Sequence, residues 1–336
     1  MKKLYKLAFI LWSLKNYENR RRFLHTLHKY LEDVTARPQS KTLSPSSVTA
    51  ASAVPEIPYN PELLELAVKS KILLVTHEFS RTGAPYAVLY LAQALYSLYG
   101  IRPLVISPKD GPIRKEFEQE SFPTVVDPLL FKYQSYSSEA CDFVAAFERV
   151  IVTSLSSFKF ISYFRGIAKH LTWWVHETGV SFNSFTKNAV DLALLFAACE
   201  AIWLGSPLCF PLALKYTATD KLHQLFYGCA DKAMPHRPHQ SGKIVFTIFG
   251  TVAPRKGQDI FLDAIELLPD ALRHKAIFRI VGSAFTEAKA VIFYNDICAK
   301  AALIPEVERV ESMPPDQLLK FYAETDVLVS ASREDP

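Results

Sequence analysis

Two cations stand side by side in the stretch Gly250-Thr251-Val252-Ala253-Pro254-Arg255-Lys256-Gly257-Gln258-Asp259, where an apolar run gives way to a helical pattern. Before it, Lys243-Ile244-Val245-Phe246-Thr247-Ile248-Phe249 has the continuous apolar character of a buried parallel strand. After it, Ile260 to Leu268 is apolar at helical spacing. A tight turn between strand and helix sets Arg255 and Lys256 beside the free N–H groups of a helix start, where backbone donors and helix dipole both favour an anion. A diphosphate is the natural occupant of such a corner. Against this stands the plainer reading that basic residues in a turn are only solvated, since short motifs carry real false-positive risk.

The elements needed to hold that corner recur along the chain. Ile72-Leu73-Leu74-Val75-Thr76 reads as a buried strand, His77 to Pro85 as a loop containing Gly83, and Tyr86 to Tyr99 as a helix stopped by Gly100. Pro103 to Ser107 is the next strand, closing one βαβ unit with a right-handed crossover. The alternation continues with strands near Thr124 to Val126, Val150 to Thr153, Leu171 to Val175 and Ala201 to Leu204. Helices are expected near Glu139 to Phe147, Phe158 to Lys169 and Ser184 to Ala198. Alternation at this pitch predicts a doubly wound parallel sheet.

A second such unit follows the polar connector 232–242, with the first domain taken as 59–231 and the second as 243–336. It holds strand Lys243 to Phe249, helix Gln258 to Leu268, strand Ala276 to Val281, helix Thr286 to Ala302, strand Val307 to Val310, helix Pro315 to Glu324 and strand Val327 to Ser330. The expected fold class is α/β, two Rossmann-like domains in tandem. Their facing carboxyl ends should frame a cleft, the place where open α/β sheets bind ligands.

Ahead of both domains, residues 4–31 read as an amphipathic helix, within a basic extension 1–34 that carries eight cations and three acids. The whole chain has net charge +4, so the remainder is −1 and attraction to an anionic surface belongs to this segment. Two readings stand for it: lying on an anionic membrane face, or docking on its own domain or a partner. Residues 35–58 are Ser-, Thr- and Pro-rich and form a linker. The apolar stretch Leu7 to Leu14 is shorter than the about 20 residues a membrane-spanning helix needs.

The five cysteines form no C-x-x-C pair, which points to reduced thiols in a cytosolic protein rather than to disulfides or a zinc site. No strand is followed by G-x-G-x-x-G, so a dehydrogenase is not supported. The basic residues do not form a stripe interleaved with aromatics, so nucleic acid is not an expected partner.

The turn at Gly250, Arg255, Lys256 and Gly257 resembles the donor-phosphate motif of the family 4 glycosyltransferases of GT-B fold, a glycine-ended strand followed by Arg-x-x-Lys-Gly or Pro-Arg-Lys-Gly and a helix. The resemblance extends over residues 71–336. Thr82-Gly83-Ala84 is similar to the family's first loop, Gly-Gly-Ala, with Thr82 in place of the first glycine. By resemblance Gly83 and Ala84 bind the donor, Gly83 because a missing Cβ lets backbone approach phosphate. Trp173-Trp174-Val175-His176-Glu177 is similar to the strand whose terminal histidine faces the transferred sugar, which assigns His176 to the site. Gly111 and Pro112 resemble the second loop. Asp326 to Pro336 resembles the approach to the Glu-x7-Glu motif, with Glu334 as the first glutamate, a donor-sugar contact. The second would fall beyond Pro336.

The resemblance therefore implies a nucleotide-sugar glycosyltransferase that retains anomeric configuration and needs no divalent metal or other cofactor. Arg255, Lys256, His176 and Glu334 would do the catalysis, with Gly83, Ala84, Gly250 and Gly257 at the donor. Its partners would be a nucleotide-sugar donor and a glycan or lipid-linked acceptor. Its place would be the cytoplasm, and the two readings of residues 1–34, on the cytoplasmic face of a membrane or docked on protein, both stay open. A C-terminally truncated chain is expected to leave one face of the second sheet partly uncovered. The second glutamate, expected beyond Pro336, motivates a competing reading, an inactive protein that binds a nucleotide sugar weakly or serves as an interaction module.

Overall fold

The computed structural model describes residues 59, 61–132, 137–179, 182–183, 185, 190–228, 235–284 and 288–333. The expected N-terminal helix, the linker 35–58, and Glu334 lie outside the described residues. The chain divides after Ala230 into two compact units.

The first unit is built on a seven-stranded parallel sheet with order β3-β2-β1-β4-β5-β6-β7. Its strands are β1 (Ile72–Val75), β2 (Leu104–Ser107), β3 (Thr124–Val126), β4 (Arg149–Thr153), β5 (Leu171–Val175), β6 (Ala201–Leu204) and β7 (Leu222–Gln224). Every residue of β1, β2, β4, β5 and β6 is buried, as a parallel sheet covered on both faces requires. Side-chain alternation divides them. Leu73, Val75, Val150, Val152, Trp173 and Ile202 pack against the helices Ser138–Ala146, Phe158–Phe164 and Leu192–Ala198. Ile72, Leu74, Ile151, Trp174 and Trp203 pack on the other side with the helix Gly83–Tyr99. Strand order reverses between β1 and β4, which pair through Leu73 with Val150. The carboxyl ends of these two strands are thus the switch point at which doubly wound sheets take ligands.

The second unit has a four-stranded parallel sheet, β10-β9-β8-β11, made of β8 (Ile244–Phe249), β9 (Ala276–Val281), β10 (Val307–Val310) and β11 (Val327–Leu328). Ile248, Phe278 and Ile280 face Phe261, Leu262, Ile265 and Ile297 from the helices Gln258–Glu266 and Ala288–Ala302. The open apolar face expected of this sheet is not what its central strands present. Val245, Ile277 and Val281 are buried on the second side too. Arg279 lies among them, paired with Glu308 at 2.9 Å and Glu324 at 3.3 Å and lying 5.0 Å over the Phe321 ring. Apolar exposure in the sheet is found at Leu328 of the edge strand β11, 62% exposed, and at Ile244, the first residue of β8, 49% exposed.

Several boundaries differ from expectation for local reasons. The first crossover helix begins at Gly83, not Tyr86, because the Tyr86 N–H already donates to the Thr82 carbonyl at 3.2 Å. It ends at Gly100 as expected, where φ of 67° suits glycine and its N–H closes on Tyr96 at 2.9 Å. The helix from Phe158 stops at Phe164, five residues short of Lys169. In the span expected as one helix from Ser184, Phe185 is helical but Val190 and Asp191 are not, and a helix begins at Leu192, capped by Asp191, which accepts from the Leu194 N–H at 3.0 Å. Helices Pro61–Ser70 and Arg114–Gln119 and the short strand β7 were not anticipated.

Candidate functional site

In the second unit, β8 delivers the chain to Gly250 at φ 133°, whose N–H donates to the Val281 carbonyl at 2.9 Å. The end of β9 presses close: a Cβ on Gly282, itself at φ 150°, would lie 2.0 Å from the Gly250 oxygen. Pro254–Lys256 then form one tight helical turn, and Gly257 follows at φ 72° with the Ala331 carbonyl oxygen 2.0 Å from where its Cβ would be. Both the backbone conformation and the space therefore demand glycine at 257. The helix Gln258–Glu266 starts there, and its N-cap residue, Gly257, has no side chain to cap it.

Two residues hold the turn in shape. Gln258, almost fully buried, donates to the Thr251 carbonyl at 3.1 Å and accepts from the Ala253 N–H at 3.3 Å. Arg333 donates twice to Asp259, at 2.9 and 2.7 Å, and to the Pro254 carbonyl at 2.5 Å, while its backbone N–H donates to the Arg255 carbonyl at 2.8 Å. Those hydrogen bonds hold the Asp259 carboxyl below its ordinary range. They also offset the one acidic charge in the first turn of the helix, which would otherwise repel an anion arriving at its N-terminus. The Lys256 side chain folds back across the strand end, with Cε 3.9 Å from where a Gly250 Cβ would stand. The corner thus combines two cations, a helix start with glycine at its N-cap, and a glycine floor, a set suited to a phosphate or diphosphate.

In the first unit, His77 and Glu78 follow β1, Ser154 follows β4, and His176 and Glu177 follow β5. Glu177 accepts from the His176 N–H at 3.0 Å, the Leu155 N–H at 2.9 Å and the Ser154 hydroxyl. Ser154 takes φ 69°, unusual for a residue with a side chain. It is held there by its N–H on the Trp174 carbonyl at 2.9 Å and by the Trp173 indole N–H on its own carbonyl at 2.9 Å.

His176 is buried between Trp174, at 4.6 Å, and Tyr227, at 5.5 Å between ring centres. Burial, helped by the nearby His77, pushes its pKa down to about 3, so the ring is neutral. Its Nδ1 lies 2.8 Å from the Tyr227 hydroxyl, while its buried Nε2 has no hydrogen-bond partner among the described residues. Burial also lowers the pKa of His77, with Glu78 and Glu177 acting in the opposite sense.

The first loop lies on the same edge. Gly83 is the first residue of its helix, and a Cβ there would meet nothing within 4 Å, so packing does not require glycine. Ala84, the next residue, is half-buried. The Thr82 hydroxyl pairs with Ser80 at 2.9 Å instead of capping. Gly111 has a steric reason, since a Cβ would come within 2.3 Å of the Phe79 oxygen and part the two loops.

Arg255, Lys256, Gly250 and Gly257 are therefore gathered in one corner of the second unit, and His176, Gly83 and Ala84 stand at the carboxyl edge of the first. Sequence reasoning passed over Gln258, Arg333, Gly282, Ser154, Glu177 and Tyr227. Gly282 could have been found as a second glycine ending a strand; Ser154 and Tyr227 carry no local signal. A cavity of about 1060 Å³ opens at the opposite, amino edge of the first sheet beside Tyr99, Arg102 and Arg149, and none of the site residues lines it.

Comparison with known proteins bears on both units. Residues 230–336 match the family model described as glycosyl transferases group 1. No curated protein matches the sequence. Among solved structures, the chain is similar to Anabaena Alr3699/HepE in complex with UDP and glucose, at TM-score 0.60 and 15% identity over 78% of this chain and 74% of that one. The same protein in complex with UDP-glucose gives TM-score 0.59 at 16% identity, over 78% and 73%. A glycosyltransferase from Rickettsia africae gives TM-score 0.52 at 15% identity, over 78% and 73%.

Proposed function

From a fold shared with the GT-B glycosyltransferases, we propose that this protein is a glycosyltransferase moving a sugar from a nucleotide-diphosphate sugar to a glycan or lipid-linked acceptor, with retention of anomeric configuration. The observation that carries the reading is the corner at 250–257, where Arg255 and Lys256 lie in the tight turn between Gly250 and Gly257 that opens the helix Gln258–Glu266, with Lys256 folded back over Gly250. As the bond to the sugar breaks, negative charge grows on the departing diphosphate while the sugar becomes cation-like. Arg255, Lys256 and the first N–H groups of the helix Gln258–Glu266 are fixed where that charge appears, so they favour the transition state over the bound donor. In this scheme the two side chains do the neutralising that a divalent cation performs elsewhere, and no metal is required. Gly83 and Ala84 bring backbone to the donor, His176 meets the sugar, and Glu334 contacts it from the other end of the sequence.

Arg255→Ala and Lys256→Ala should each lower turnover by about 10²- to 10³-fold, on the order of 3 kcal/mol, as expected when one aimed donor is lost. The check is transfer and donor hydrolysis with UDP-glucose as probe, alongside UDP binding by calorimetry. Wild-type turnover in both variants would remove the diphosphate assignment. Saturable UDP binding with no turnover in the parent chain would favour the binding-module reading.

A further inference from the structure

We propose that Tyr227 is a positioning residue that locks His176 in the tautomer with its proton on Nε2, reserving that nitrogen as a donor to an oxygen of the bound sugar nucleotide. This rests on the reading above, in which His176 meets the sugar. Tyr227 is placed to do it by three contacts. Its hydroxyl is 2.8 Å from Nδ1, and its ring stacks on the imidazole with 21° between planes. The hydroxyl also fills the space above Gly205, where a Cβ would lie only 2.1 Å away. Tyr227 is 38% exposed as a residue, yet its hydroxyl, set against Nδ1 and above Gly205, is the end that burial acts on.

The tautomer follows from counting donors and acceptors. If the Tyr227 O–H donates to Nδ1, the imidazole proton sits on Nε2, and the single unsatisfied group is that N–H. If Nδ1–H donates instead, two groups go unsatisfied: the tyrosine O–H and the Nε2 lone pair. Buried polar groups are overwhelmingly paired, so the first arrangement is favoured. Burial raises the Tyr227 pKa, which keeps the O–H available to donate. An Nε2–H cannot accept a proton. It can only donate to an oxygen, and a sugar hydroxyl is one. His176 then recognises the ligand rather than acting as a base.

The test uses the full 336-residue chain with 15N-labelled histidine, the His176 side-chain nitrogens being identified by their loss in His176→Gln. The expected wild-type spectrum has Nε2 protonated and Nδ1 as hydrogen-bond acceptor. Tyr227→Phe should convert it to a mixture of tautomers, and Gly205→Ala, which displaces the hydroxyl without deleting it, should do the same. Both should weaken UDP-glucose binding by about ten-fold, the weight of one hydrogen bond, and leave UDP binding unchanged. A proton on Nδ1 in the wild type, or an unaltered Nε2–H tautomer in Tyr227→Phe, overturns the proposal. A wild-type chain that binds neither probe sinks the functional reading instead, and the nitrogen spectrum still decides the role of Tyr227.

Discussion

The glycines separate two kinds of requirement at the level of single residues. Gly257 is fixed by its own fold: φ 72° disfavours any side chain, and the Ala331 carbonyl already occupies the Cβ position. Gly257→Ala should destabilise the second unit by at least about 1–2 kcal/mol, read as a lower urea midpoint. Gly83 is under no such demand, with nothing near its Cβ and an ordinary helical position. Gly83→Ala should therefore leave the midpoint unchanged, and if the first loop meets donor phosphate it should weaken UDP-glucose binding. Equal binding by this variant would exclude close backbone approach at 83. The motif residues Arg255, Lys256 and Gly257 were legible because each type announces its chemistry. Gln258, Arg333 and Tyr227 were not, because a buried amide, a distant arginine and a tyrosine gain meaning only from what folding places beside them.

Among the elements, the long buried strands could be read almost to the residue, since a parallel strand covered on both faces is a continuous apolar run between breakers. β5, β6 and β9 have the expected limits, and so does β10, an edge strand with no fully buried residue. Helix starts were harder. Thr82 and Asp191 mark them, yet both lie in polar stretches that also read as loop. The three-residue strand β7, with one buried position, exists by pairing with β6 rather than by its own pattern.

The strand ends carry a pH dependence whose sign is fixed by burial. His176 titrates near 6.5 when exposed and near 3 when folded, and His77 shifts in the same direction. The unfolded chain thus binds protons that the folded chain refuses. The effect of His176 on stability is absent above about pH 6.5 and grows as the pH falls towards 3, with a slope of up to about 1.4 kcal/mol per pH unit, and His77 adds to it in the same sense. Urea midpoints of the first unit should accordingly drop between about pH 7 and pH 5, and less steeply in His176→Gln. Parallel curves for the two proteins would show that His176 is not the group responsible.

At the scale of the whole chain, each unit has its own sheet and its own buried clusters. If the 250–257 corner takes the diphosphate, UDP at a hundred times its dissociation constant should stabilise the second unit by about 2.7 kcal/mol. Amide hydrogen exchange should show that protection concentrated on β8 and the helix after it, and uniform protection of both units would argue against this binding mode.

The tryptophans make the chain self-reporting. Of the four tryptophans, Trp173, Trp174 and Trp203 sit in β5 and β6, Trp12 lies in the N-terminal extension and none occurs after residue 230, so in a Trp12→Phe background tryptophan emission follows melting of the first unit and is blind to the second. Trp174 also touches the His176 ring, so a proton or a hydroxyl reaching that imidazole would be seen as a change in brightness, with no dye attached.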